Sequence, residues 1–323
     1  MLNHSPVKIT AIGKYLPAEL MDNAYFERLV DTSDDWIIKR SGIRRRFRAA
    51  ENEFASDLAI GAVEDLIKKG ADINGVDLII TAVFAPDHIT PSVSSLVAGR
   101  FGLDAGTFDV HSACSGFVSA LLTANAYLSS GMAKKALVIS AETLTKLTDY
   151  TDRNTCVLFG DAASAALVER SDKPRFFAAD FGSDGSQADK IYCSYISDSI
   201  NGVKLEKKGL IVQNGRAVYE YVVKIISAKI TDFIDRAGLK ISDIDHFIPH
   251  SANMRMLEEM CKRTGFSEEK LLSSVEDYGN TSSATIPLAL AAALDEGKVK
   301  RGDKILMYGF GAGLAYAGAI FEW

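Results

Sequence analysis

Four cysteines in 323 residues, with no CxxC pair and no dense spacing, argue against a disulfide framework and against a zinc site. Cys114, Cys156, Cys193 and Cys261 are therefore read one at a time, each as a small buried apolar residue or as a reactive thiol. Long apolar runs are also missing. The best candidates, 76–85 and 284–294, are too short for the ~18 residues of a membrane helix or are broken by a proline. The opening MLNHSPVKITAIGKYLP has no basic start, apolar core or small-residue cleavage site, so it does not read as a secretory signal, and a cytoplasmic location is the default expectation. Nor is there an excess of positive charge. With 36 Lys+Arg against 42 Asp+Glu the net charge is -6, which argues against general nucleic-acid binding but leaves room for a local basic site. A chain with 47% apolar residues and only seven prolines is neither disordered nor collagenous.

The length is that of two domains, or of one large α/β unit built from two halves. Apolar, β-rich runs at 7–12, 77–83, 107–110, 136–140, 155–159 and 163–168 read as strands, and helical patterns at 53–69 and 115–130 lie between them. Strands alternating with helices predict an α/β protein with a largely parallel sheet. The second half repeats this order. After a helical stretch at 219–237, ISDIDHFIP (241–249) mirrors INGVDLIIT (73–81), SSVEDYGNTS (273–282) echoes TFDVHSACSG (107–116), and GDKILMYG (302–309) matches AKKALVIS (133–140). Two stacked copies of one plan would account for the length, with the boundary at 172–174 separating residues 1–172 from 173–323. The Gly-, Ser- and Asp-rich stretch 180–209 reads as an excursion of loops.

Cys114 lies in DVHSACSGF, where a strand gives way through small residues to a long helix. A thiol at a helix N-terminus meets unpaired N–H groups and the positive dipole end, which favour the nucleophilic thiolate. A buried, inert cysteine fits the same residues. His250 stands where the strand-like HFIPH gives way to a helix, the carboxyl end at which open α/β sheets bind ligands, although a lone histidine there can equally be structural. Asn280, in DYGNTSSATIP, occupies the place that echoes Cys114, and Gly-Asn followed by Thr and Ser is also an ordinary turn and cap signal. Stacked halves would turn all three toward one cleft. The C-terminal YGFGAGLAYAG brings glycines to a strand end where backbone N–H groups can approach a reacting carbonyl, or where the chain simply bends close to a sheet. It is not a dinucleotide fingerprint, because no helix of adequate length follows. KRSGIRRRFR (39–48) concentrates six basic residues in an acidic chain, either as a solvated face or as a dock for phosphates, with Trp36 offering a flat face to an adenine. Arg255, Lys262 and Arg263 form a second basic cluster that could receive an acidic partner.

These motifs resemble those of the β-ketoacyl-acyl carrier protein synthase III family of bacterial fatty acid synthesis. VDTSDDWIIKRSGIRRR, the SAC motif, DYTDRNTCVLFGDAA, PHSANMRM, YGNTSSATIPLAL and GFGAG follow one another with family-like spacing over essentially the whole chain. ETLTKLTDYTDR together with PHSAN resembles the second synthase III type of bacilli. The resemblance implies an α/β thiolase-like fold of two stacked, pseudo-duplicated halves in five αβαβα layers, and a homodimer sharing its acyl pocket. It implies Cys114 as the acyl-accepting nucleophile, His250 and Asn280 as its triad partners, and the N–H groups of Cys114 and Ala312 as oxyanion donors. Thr32, Trp36, Arg40, Arg153, Gly215, Ala252 and Asn253 match the coenzyme A site, and Arg255, Lys262 and Arg263 the carrier-protein patch. Thr90, in HITPS, falls where the family lines the acyl pocket across the dimer, sometimes with Phe. A smaller residue there predicts room for branched or somewhat longer starters beside acetyl. Two positions depart from the usual pattern: Ser251 where Gln usually follows the histidine, and Ala312 for the middle glycine of GGG.

The implied reaction joins acyl-CoA to malonyl-acyl carrier protein, releasing CoA and carbon dioxide. It needs no cofactor and no metal, since acyl-CoA is a substrate. A degradative thiolase would need a second cysteine near the C-terminal glycines, and a hydroxymethylglutaryl synthase would need a glutamate acid/base that no motif clearly supplies. Related enzymes that start polyketide, quinolone or biotin-precursor chains use the same triad and remain open, as does a non-catalytic nucleotide-phosphate binding protein in which Cys114 is merely packed.

Overall fold

The computed structural model describes residues 5–323, so Met1–His4 of the N-terminal segment read above lie outside the described residues. Strands Val7–Tyr15, Asp161–Arg170, Lys135–Thr143, Leu78–Ala82 and Gly106–Val110 form the first sheet, in that order across it. The first two neighbouring pairs are antiparallel and the next two parallel. Phe176–Ser183, Ala315–Glu322, Lys304–Phe310 and His246–Pro249 form the second sheet with the same succession, antiparallel, antiparallel, parallel. Its fifth place is held by one parallel bridge, Phe247 to Leu271, in place of a strand.

Alternating side chains of the first sheet serve two cores. Ile79, Leu137, Ile139, Ala165 and Leu167 face the helix Ala55–Lys68, whereas Leu78, Ile80, Val138, Ala166 and Val168 face inward. On that inner side lie the helices Gly116–Ser130 and Thr285–Asp295. Beyond them come Ile305, Met307 and Phe321 of the second sheet. A helix with a sheet on either side must be apolar nearly all round, which is why FVSALLTANAYL and TIPLALAAAL carry so few charges. The outer face of the second sheet is covered by the helical stretch 215–236 and by Met254–Thr264, through Ile230, Phe233, Leu257 and Met260. Five layers result: helix, sheet, helix pair, sheet, helix.

Three expectations need correction. The sheets are mixed, with two antiparallel pairs in each, and not largely parallel. Residues 155–159 are not a strand. Asp152 caps a single helical turn, Arg153–Cys156, by accepting the Asn154 N–H at 2.9 Å, and TCVLF is apolar because it packs between the sheets' ends, not because it pairs in one. Nor does Asn280 stand in the place of Cys114. The turns that feed the two central helices are Ala113–Ser115 and Ser282–Ala284, and each opens on a non-glycine residue in the left-handed region, Ala113 at φ 42° and Ser282 at φ 51°. The counterpart of Cys114 is therefore Ser283, and Asn280 lies in the loop before that turn. A short helix, Val275–Tyr278, occupies the segment that the echo assigned to a strand.

The middle layer and the second sheet meet closely at Gly309, where an added Cβ would lie 2.7 Å from Ser115 Cα and 3.2 Å from the Cys114 carbonyl oxygen. Gly309→Ala is expected to cost about 1–3 kcal/mol through overpacking. Denaturant unfolding measures this, and an unchanged midpoint would contradict the contact.

Candidate active site

Cys114, His250 and Asn280 line one cavity of about 560 Å³. The three arrive from different elements. Cys114 stands in the turn that opens the central helix Gly116–Ser130, secured by the Ser115 hydroxyl donating to the Ser112 carbonyl at 2.7 Å. Gly311 presses against it from the second half. A Cβ there would sit 2.7 Å from the Cys114 nitrogen and 3.2 Å from its Sγ, so the glycine of GFGAG is a packing requirement of the nucleophile. Ala312 has a backbone a Cβ tolerates, because the left-handed angles fall on Gly313 and Leu314. Gly311 and Leu314, not Ala312, line the cavity.

His250 follows the strand His246–Pro249, and its main-chain N–H donates to the Tyr308 carbonyl at 2.9 Å. The ring is fixed by Nδ1, which lies 2.8 Å from Thr285 Oγ1, and by the edge contact with Phe310 at 5.3 Å between centroids. Asn280 is held by main-chain bonds on both sides: its N–H donates to Leu158 O at 2.9 Å and its carbonyl accepts Gly160 N–H at 3.2 Å. Its side-chain oxygen accepts the Ser282 N–H at 2.9 Å, which sets the amide orientation and leaves the NH₂ as donor. The supposed strand 155–159 is thus a wall of the site.

Burial governs the ionisation here. Desolvation pushes the Cys114 thiol up to about 12, opposed by the Ser282 hydroxyl and reinforced by the negative charge of Glu142. The expected thiolate is therefore not the resting form. A helix N-terminus contributes about 0.3–1 kcal/mol, which is too little to offset this desolvation. The sulfur can be reached from the cavity yet is enclosed by protein, so a ligand meets it while bulk water solvates it poorly. Desolvation likewise lowers His250 to about 3, with the Ser282 carbonyl opposing, so its ring is neutral at physiological pH. Glu142, which sequence reasoning missed, is fully buried nearby and raised to about 7 by desolvation. Its carboxylate accepts the Phe84 N–H at 2.9 Å and the Ser283 N–H at 3.3 Å, together with the Ser283 hydroxyl. It does not line the cavity, so it braces the second turn without facing a substrate.

The mouth of the cavity is built around Trp36, in the helix Asp34–Ser41. The guanidinium groups of Arg40 and Arg153 lie 5.6 and 5.0 Å from its ring. Gly215, Ala252, Asn253 and Arg255 line the same cavity, and Asn253 Nδ2 donates to the Arg40 carbonyl at 2.9 Å. The outer helix carries a π-helical turn, Val222–Ile226, at this wall, with Tyr219, Val222 and Ile226 lining it. Thr32 does not line the cavity. Most of the basic run 39–48 is used internally: Arg44 pairs with Glu276 at 2.5 Å, Arg45 with Asp277 at 3.0 Å and Arg48 with Glu19. Arg46 is wholly buried, 4.2 Å from the Phe26 ring and donating to Asn23 and to the Val157 carbonyl, and burial lowers its pKa to about 9. Of the basic residues in the run, only Arg40 reaches the cavity. Lys262 and Arg263 are exposed in the last turn of Met254–Thr264, where Arg263 pairs with Glu259 at 2.8 Å. Lys262 lies seven positions after Arg255, which places the two on one stripe of that helix. Thr90 is exposed and does not line its own chain's cavity. Among the described residues no helix is long and apolar enough to cross a membrane, and no group of three or more His, Cys, Asp or Glu is placed to hold a metal ion.

Five layers with a cysteine at the entry of a central helix define a condensing enzyme of the thiolase-like fold. The family model described as 3-oxoacyl-[acyl-carrier-protein] synthase III matches residues 108–185, and that of its C-terminal part matches 234–323. β-Ketoacyl-[acyl-carrier-protein] synthase III 2 of Halalkalibacterium halodurans is 47% identical over 100% of this chain and 98% of the relative. That of Bacillus subtilis is 45% identical over 99% of each. The crystal structure of the synthase III from Thermus thermophilus superposes with a TM-score of 0.94 at 40% identity, covering 98% of both chains. The chain belongs to the 3-oxoacyl-[acyl-carrier-protein] synthase III family, the condensing enzymes that initiate fatty acid synthesis.

A thiol that ionises only at high pH has a clear signature. Alkylation of Cys114 by iodoacetamide, followed on its own peptide by mass spectrometry, is expected to rise about tenfold per pH unit from 7 to 9 without a plateau. Saturation below pH 8 would show a thiolate at rest.

Proposed function

We propose that Cys114, His250 and Asn280 carry a two-stage acyl transfer and decarboxylative condensation, joining an acyl-CoA starter to malonyl-acyl carrier protein. The observation that supports this most is their convergence on one cavity whose mouth presents Trp36 with two guanidinium groups close to its ring. An adenine stacked on Trp36, with phosphates near Arg40 and Arg153, would direct the thioester inward. Asn253 and Arg255 complete that rim, and Lys262 extends the positive stripe toward an acidic carrier protein.

In the first stage the Cys114 proton passes to His250 Nε2 as the sulfur attacks the thioester carbonyl. A thiol raised to about 12 needs such a base, and a ring lowered to about 3 keeps its lone pair. The backbone N–H of Cys114 receives the oxyanion. Collapse expels the CoA thiolate, which takes the proton back from His250, and Cys114 stays acylated. In the second stage the malonyl thioester loses carbon dioxide, and the electrons of the broken C–C bond form an enolate. His250 Nε2–H and the Asn280 NH₂ donate to its oxygen. The enolate carbon attacks the acyl-Cys114 carbonyl, the C–S bond breaks, and the thiolate regains a proton from water. Apart from the water that returns this proton, every group in the scheme belongs to the chain or to its substrates, so the reading invokes no cofactor. It also takes residues 1–172 and 173–323 as the two halves, Thr90 as part of a partner subunit's acyl pocket in a homodimer, and the cytoplasm as the place of action.

Incubation with a panel of acyl-CoA thioesters is expected to add one acyl mass to the intact chain, and Cys114→Ala to abolish it. No adduct with any thioester would sink the enzymatic reading, and the panel also ranks starters by length and branching. Asn280→Ala should still be acylated but lose about 10²–10³-fold in malonyl decarboxylation, the typical effect of removing one oxyanion donor. Undiminished release of carbon dioxide would remove Asn280 from the mechanism.

A further inference from the structure

The two stages ask opposite things of one ring nitrogen. Accepting the thiol proton requires a bare Nε2, whereas donating to the enolate requires Nε2–H. In a neutral imidazole the proton sits on one nitrogen or the other, and the partner of Nδ1 decides which. That partner is Thr285, the first residue of the central helix Thr285–Asp295.

Thr285 Oγ1 lies 2.8 Å from His250 Nδ1 and 2.9 Å from the Ser282 carbonyl oxygen, and it accepts the Ser251 main-chain N–H at 3.2 Å. All of these groups are buried. The hydroxyl has one hydrogen and two acceptors within reach. When it donates to Ser282 O, Nδ1 must carry the ring proton and donate to Oγ1, so Nε2 is bare. When it swings to donate to Nδ1, the ring proton must sit on Nε2. Ser251 N–H is satisfied in both arrangements, and Nδ1 is never left unpaired, a state that would cost about 1–3 kcal/mol for a buried polar group.

We propose that Thr285 is a positioning residue whose hydroxyl supports both tautomers of neutral His250, the Nδ1–H form for acylation of Cys114 and the Nε2–H form for decarboxylation. This rests on the functional reading above. The ring changes tautomer by exchange with water, gaining one proton at Nε2 for one lost at Nδ1, so its charge and proton count do not change between the stages. At rest the Nδ1–H form is favoured, because it alone keeps the Thr285 to Ser282 bond.

The test uses the full-length protein with ¹⁵N-labelled histidine, of which the chain has only five, His250 being assigned by comparison with His250→Gln. The ring ¹⁵N shifts are expected to show Nδ1–H in the free enzyme and a gain of Nε2–H once Cys114 is acylated. Thr285→Val, similar in shape but without the hydroxyl, should lower malonyl decarboxylation by about 10²-fold, within the range of acid–base contributions, and change the tautomer ratio. Thr285→Ser should restore both to within about threefold, because its hydroxyl reaches the same partners. A Thr285→Val protein that keeps wild-type decarboxylation, or a tautomer ratio unmoved by acylation and by Thr285→Val, overturns the proposal. If Thr285→Val does not fold, the unmodified enzyme still decides through its shifts before and after acylation. Failure of Cys114 to take an acyl group would instead overturn the functional reading itself, and the two failures are separated by the intact mass.

Discussion

The site depends on how closely the second sheet approaches the turn that holds Cys114. Gly309 and Gly311, at the end of strand Lys304–Phe310 and just beyond it, stand so near Ser115 and Cys114 that neither has room for a methyl group. That closeness locks the entry of one half's central helix against the other half's sheet. The same strand anchors the His250 main chain through Tyr308 and brings Phe310 edge-on to its ring. One interface therefore positions nucleophile and histidine together, and its small residues are the condition for it.

Close packing also sets the electrostatics. Enclosed by protein except toward the cavity, the thiol is held protonated and the imidazole neutral, and the glutamate behind them is displaced toward neutrality as well. A resting site of uncharged groups admits a neutral thioester without first stripping water from ions. Charge is placed where solvent can reach it: Arg40 and Arg153 lie close to Trp36 at the mouth, and Arg255 and Lys262 run outward along the helix Met254–Thr264. Two left-handed residues, Ala113 and Ser282, sit on either side of this neutral interior, and such strain persists only where surrounding packing over-determines it.

Much of this was legible in the residues. DVHSACSG announced a strand, a small-residue turn and a helix, and PHSAN and YGNTS marked chain reversals at strand ends. Where the structure departs from the pattern there is one cause: local pattern does not fix tertiary place. TCVLF was apolar enough for a strand, but its side chains fill the space between sheet ends and cavity, and Asp152 caps it into a turn. SSVEDYGNTS echoed the Cys114 segment in rhythm, yet the φ angles align Ser283 with Cys114 and leave Asn280 in the preceding loop. Six basic residues fit either a solvated face or a phosphate dock, and carboxylates 232 positions away in sequence claim Arg44 and Arg45. Glu142 opens ETLTKLTDYTDR and Thr285 lies within YGNTSSATIPLAL, yet neither motif points to a role for them, since a glutamate near a strand end and a threonine at a helix start are commonplace until their partners are known.

Sequence alone determined the doubled α/β plan, the absence of cysteine-based cross-links as an organising device, and the candidate nucleophile with its two companions. These are properties of pattern and residue type, written in periodicities of two and 3.6 and in the chemistry of single side chains. Tertiary structure decided what those side chains are. It made the thiol a weak acid and the imidazole a weak base by removing water from both, turned a presumed strand into the wall that holds Asn280, and placed Thr285 against His250 Nδ1. Desolvation and hydrogen-bond partnership depend on groups distant in sequence, and only the folded chain brings them within reach of one another.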